Sequence, residues 1–184
     1  ALRQDFVCGK AFFDVLKAEP SRAFELVEQS VNLQYEMNQK EGNVPLSFKK
    51  RLLDSITASQ KLSQSAKEKA ITNIEKLPDG DRLCHGDFHG FNIIVSGDKY
   101  TIIDLPNCSY GCVQCDCART YMIYAIYAKE IAELYLGLYC KAAAITRESV
   151  LEWLPVICAA RLSENIAGEE EQLLKWAGEL VTEP

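Results

Sequence analysis

From Leu83 to Leu105 the chain reads LCHGDFHGFNIIVSGDKYTIIDL, and within it His85-x-Asp87-x-x-x-x-Asn92 is followed twelve residues later by Asp104. A carboxylate that can orient a hydroxyl, followed by an amide and a second carboxylate that can share a divalent cation, are the residue types phosphoryl transfer from a nucleotide needs. Asp87, Asn92 and Asp104 supply them in that order. A lone His-x-Asp is usually incidental, and a lone Asp at a strand end commonly caps or turns the chain. The four residues together, separated by a hairpin signal, make the functional reading the stronger one.

Two short apolar runs, Ile93-Ile94-Val95 and Tyr100-Thr101-Ile102-Ile103, flank Ser96-Gly97-Asp98-Lys99, which predicts a hairpin turning at Gly97-Asp98. A three-residue loop would pair Asn92 directly with Asp104 and is the favoured register. A two-residue loop would set Asn92 opposite Ile103, and Asp104 would have to leave the pleat to share a metal with Asn92.

The stretch resembles the HGDxHxxN catalytic loop and following IIDW-type strand of the aminoglycoside phosphotransferase and choline kinase group. The resemblance implies Asp87 as catalytic base, Asn92 and Asp104 as ligands of Mg²⁺ and thereby of ATP or another nucleoside triphosphate, and His85 as a residue that fixes the loop. His89 matches the family's second histidine and takes a positioning or substrate-side role. Asp116 and Arg119, in QCDCART, resemble the segment that opens the next helix and braces the catalytic loop, a structural support. Gly90 stands where the family often has Pro, and Leu105 where Trp is common.

The implied fold is α+β and mainly helical, the C-terminal lobe of a protein-kinase-like fold with a short β-hairpin carrying the metal ligands. Residues 1–184 would form that single lobe, without an N-terminal nucleotide-binding lobe: no glycine-rich phosphate loop and no strand lysine with a partner glutamate is found. The implied activity is ATP-dependent phosphorylation of a small-molecule hydroxyl. The alternative is a non-catalytic remnant or fragment, whose exposed apolar face would favour self-association.

The elements that must position these residues are mostly helices. Gly9 to Leu16 and Ser21 to Asn38 come first, the latter with an apolar stripe of Phe24, Val27, Val31 and Tyr35. A helix opened by Ser47 carries Phe48, Leu52 and Ile56. Ser65 and Glu68 fit a capping box ahead of Ile71, Ile74 and Leu77. After Asp116 the helical period returns, then runs across Ile131 to Cys140. Thr146 caps a helix through Ala160 that Pro155 should bend, and Glu169 to Leu180 forms the last one. Tyr121, Tyr124 and Tyr127 read as packing residues, and Tyr110 as the one aromatic residue to test in a substrate cleft.

Eight cysteines include the run Cys108, Cys112, Cys115 and Cys117. The first three have the spacing that holds a [4Fe-4S] cluster in radical S-adenosylmethionine enzymes, but no alternating strand-helix series follows. All four could hold Zn²⁺, although Cys115 and Cys117 flank Asp116. Reduced, partly buried thiols are the plainer reading. A net charge of −6 argues against a nucleic-acid partner. No apolar stretch reaches the roughly 20 residues that span a membrane. The start shows no secretory signal, although a first residue other than Met warns of removal; the expected location is cytoplasmic.

Overall fold

Apolar residues one turn apart decide how the first helices face. The computed structural model describes residues 6–180. It opens with a two-residue strand, β1 (Lys10–Ala11), and α1 (Phe12–Ala18), which buries Phe12 and Leu16. The expected helix from Gly9 therefore starts three residues later, because Lys10 and Ala11 pair with a strand instead. A 3₁₀ turn at Pro20–Arg22 leads into α2 (Ala23–Asn38). Its buried face runs through Val27, Val31, Gln34 and Asn38, whereas Phe24 is 58% exposed. The predicted stripe is thus rotated at both ends, since the inner end of α2 is polar and grips a buried carboxylate described below.

Serine hydroxyls open the next two helices. Ser47 Oγ accepts from Lys50 N at 3.1 Å at the start of α3 (Phe48–Ala58), and Ser63 Oγ accepts from Ala66 N at 3.2 Å at the start of α4 (Gln64–Lys76). Each bond satisfies an amide that has no partner in the first turn. The capping box predicted at Ser65 and Glu68 is corrected: Ser65 lies inside α4, and Glu68 accepts from Gln64 Nε2 on the exposed face.

Five strands are present among the described residues, more than the single predicted hairpin. β2 (Arg82–Cys84) pairs antiparallel with β5 (Ser109–Gly111), while β1 pairs with β3 (Ile93–Ser96), which pairs with β4 (Lys99–Ile102). The β3–β4 register matches Ser96 with Lys99, so the loop is the two residues Gly97-Asp98. Gly97 has φ of 60°, the left-handed geometry such a tight turn demands. The favoured three-residue loop is corrected, and Asn92 faces Ile103, whose N–H donates to Asn92 O at 2.9 Å.

α5 (Val113–Tyr127) begins ahead of Asp116, placing that residue in its first turn. α6 (Lys129–Ala143) lies against α2 and α5. The predicted helix from Thr146 to Ala160 is broken rather than bent. α7 (Arg147–Leu151) stops before Trp153, and α8 (Leu154–Arg161) restarts with Pro155 in its first turn, where a missing N–H costs nothing. α8 is packed by α3, α4, α5 and α9 (Glu170–Ala177), within one continuous core that reaches from Phe12 to Leu180. The predicted last helix ends at Ala177 and continues as a 3₁₀ turn. Among the described residues no helix is long and apolar enough to cross a membrane.

Candidate active site

The loop between β2 and β3, residues 85–92, is tied down at almost every position. His85 is fully buried; its Nδ1 accepts the Asp87 N–H at 3.3 Å, so Nε2 carries the proton and donates to Ile103 O at 3.0 Å. One ring thus pins the loop to the end of β4. Gly86 has φ of 77°, and a Cβ there would lie 2.7 Å from Asn107 O, so glycine is needed for both conformation and approach. Its N–H donates to Asp116 Oδ1 at 2.8 Å.

Asp116 is fully buried, and its second oxygen accepts from Gln34 Nε2 at 2.9 Å and Asn38 Nδ2 at 3.1 Å. Those amides are held in turn by α6: Tyr135 OH donates to Gln34 Oε1 at 2.6 Å and Tyr139 OH to Asn38 Oδ1 at 2.5 Å. A carboxylate lifted out of water is kept by such donors, and here they also fix where Gly86, and therefore Asp87, can sit.

The Asp87 carboxylate stands between two basic side chains. Arg119 Nη2 donates to Oδ1 at 3.2 Å, and His89 Nε2 lies 3.4 Å from Oδ2. Burial pushes this carboxyl upward, but the hydrogen bond from His89 and the positive charge of Arg119 outweigh it and hold Asp87 well below the usual carboxylate range. Arg119 therefore touches the loop's carboxylate directly, and its other partner is Glu164 Oε1 at 2.7 Å. The ring of His89 is oriented by the Phe91 N–H, which donates to Nδ1 at 3.2 Å.

Asn92 is nearly buried, and its Nδ2 donates to Asp87 O at 2.9 Å and lies 3.3 Å from His89 Nε2. Its Oδ1 has no hydrogen-bond partner among the described residues. Asp104 follows Ile103 out of the pleat with φ 61° and ψ 56°, a left-handed conformation, and its exposed carboxylate is likewise unpartnered among the described residues. Two hard oxygen donors at the open end of one hairpin, neither neutralised by the protein, fit a small divalent cation that takes its remaining ligands from phosphate and water.

Beside the loop lies a cavity of about 630 Å³ between α1, the start of α2, and the facing ends of α5 and α6, with His89 and Phe91 in its wall. Tyr127 lines it. Tyr110, the residue expected there, sits on β5 beside a separate cavity of about 240 Å³. Tyr121 and Tyr124 are buried. The four cysteines of the run do not gather at one point: Cys115 meets Cys112 and Cys84, its Sγ donating to Cys112 O at 2.8 Å at the start of α5, Cys117 is fully buried beside Tyr135, and all eight are free thiols. Among the described residues no three His, Cys, Asp or Glu side chains are grouped to hold a metal ion.

Gln34 and Asn38 escape a reading of sequence alone, although two amides at helical spacing in an apolar stripe are a signal for a buried polar partner. Arg161 and Glu164 have no such signal, being brought to the site by the end of α8 and the turn that follows it.

The model of a phosphotransferase enzyme family, APH, matches residues 29–153, about two thirds of the chain and the whole of the loop and hairpin. No curated protein matches the chain.

Proposed function

Since the chain belongs to the APH phosphotransferase enzyme family, we propose that it transfers the terminal phosphoryl group of a nucleoside triphosphate to a hydroxyl of a small molecule. The mainly helical body would be the larger, C-terminal lobe of a protein-kinase-like fold. The observation that carries the reading is the position of Asp87: its carboxylate is in contact with His89 of the cavity wall, and its backbone carbonyl accepts from Asn92 at the open end of the β3–β4 hairpin.

An acceptor hydroxyl in the cavity would donate a hydrogen bond to Asp87. Arg119 and His89 keep that carboxylate ionised and fix its direction, so it orients the hydroxyl early. It takes the proton late, as the acceptor oxygen bonds to phosphorus and the bond to the leaving diphosphate oxygen breaks. Mg²⁺, held by Asn92 and Asp104, would neutralise charge on the phosphates. His85 and Asp116 act on the loop rather than on substrate, one through Ile103 and the other through Gly86.

Calorimetric titration of the chain with ATP, with and without Mg²⁺, tests the reading. Binding that requires Mg²⁺ and is lost in Asp104→Ala supports it. In a turnover assay, Asp87→Asn should retain nucleotide binding while the rate falls by about 10²–10⁴-fold, the span a positioned base contributes. Equal loss of binding and rate would remove Asp87 from its role. No Mg²⁺-dependent binding would favour the non-catalytic remnant.

A further inference from the structure

The cavity beside His89 has walls that select a ligand, and the inference drawn from them rests on the phosphotransferase reading above. At about 630 Å³ it is the size of a site for one small molecule. Phe13, Leu16, Phe91, Ile123 and Ile131 are among its lining residues, with the Phe91 ring edge-on to Phe13 at 5.1 Å and to His89 at 6.2 Å.

No lining residue is acidic. Arg161, the most buried of the basic ones, is engaged elsewhere: Nε and Nη2 donate to Glu169 at 2.7 and 2.9 Å, and Nη1 to Glu164. The Tyr127 hydroxyl donates to the same Glu169 at 2.6 Å, so it too is engaged. His89 is occupied by Asp87 and the Phe91 N–H. Lys17 alone has no partner among the described residues. A polycation entering here would lose water with no carboxylate to replace it, since Asp87 is already shared by Arg119 and His89.

The family match runs from 29 to 153, so Phe13, Leu16, Lys17 and Arg161 all come from outside it. The loop that does chemistry lies in the matched span, while half of the cavity does not.

We infer that the acceptor is an apolar, ring-sized alcohol, uncharged or bearing one anionic group that lies against Lys17, and not a polycationic aminosugar.

The full chain can be tested by binding alone, using 1-anilinonaphthalene-8-sulfonate as a fluorescent reporter, displaced by 2-(2-naphthyl)ethanol or by kanamycin. The alcohol should displace the reporter and kanamycin at equal concentration should not. Phe91→Ala, at an exposed ring, and Ile131→Glu, at the half-buried rim, should each weaken the alcohol, the second by about tenfold or more because it sets an unpaired carboxylate in an apolar wall. Lys17→Ala should weaken the sulfonate reporter and leave the uncharged alcohol unchanged. Displacement by kanamycin, or alcohol affinity unmoved by both wall variants, would overturn the inference. The Mg²⁺-ATP titration on the same protein separates the two readings. Nucleotide binding with kanamycin displacement sinks only the acceptor class, whereas alcohol binding at these walls without nucleotide binding sinks the phosphotransferase reading.

Discussion

Asp104 combines a proposed metal-binding role with a backbone cost. Its left-handed conformation is open to Asp, Asn and Gly but disfavours β-branched residues. Asp104→Asn should therefore melt within about 0.5 kcal/mol of wild type while Mg²⁺-dependent nucleotide binding weakens, whereas Asp104→Val should also lose about 1–2 kcal/mol in chemical denaturation. Equal stability losses would place the strain elsewhere. Glu169 offers a pH prediction. Burial raises its pKa, but hydrogen bonds from Arg161 and Tyr127 win and hold it below the ordinary carboxylate value. Its stabilisation is thus present above about pH 4.3, the unfolded value, and is lost as pH falls through the lower folded value. Glu169→Gln should cost about 2 kcal/mol at pH 7 and progressively less below pH 4, measured by urea unfolding across pH. The proposed site was legible because Asp87, Asn92 and Asp104 lie within one stretch at fixed spacing. Arg161, Glu164 and Glu169 were not, since their meeting with Arg119 and Tyr127 depends on how the chain folds back after α8.

One helix start and one turn show what local patterning can miss. Ser63 and Ser65 are both plausible caps by composition, and only the backbone decides which hydroxyl meets a free amide. Ser63→Ala should cost about 1 kcal/mol and Ser65→Ala close to none, a comparison that thermal unfolding resolves. The hairpin was legible from its alternating apolar runs, but its loop length was not: Gly97-Asp98 and a three-residue loop share the same flanking residues, and the choice is made by the left-handed Gly97. Gly90 illustrates contact between elements far apart in sequence. A Cβ there would fall 2.6 Å from the Phe13 ring, while the Phe13 N–H donates to Gly90 O at 3.2 Å. Gly90→Ala should destabilise by about 1–3 kcal/mol, and Phe13→Leu should relieve part of that loss, so the double variant is less than additive.

At the scale of the molecule, Asp116 is where α2, α5, α6 and the loop meet. Asp116→Asn would turn an amide N–H₂ toward the donors of Gln34 and Asn38, leaving buried groups unpaired. Stability should fall by about 2–4 kcal/mol, with turnover falling further than the unfolded fraction explains once Gly86 is released. The mainly helical body was legible from apolar periodicity, yet this junction was not, because its parts come from residues 34, 38, 86, 116, 135 and 139 and no local pattern links them. The pairing of β1 with the hairpin has a mechanical consequence. Lys10 and Ala11 lie against Val95 and Ile94, and Phe13 presses on Gly90 two residues before Asn92. A tension applied through the N-terminal end would load those strands in shear and reach the loop at Gly90, so pulling in an optical trap should disturb nucleotide binding at forces below those that unfold the helices.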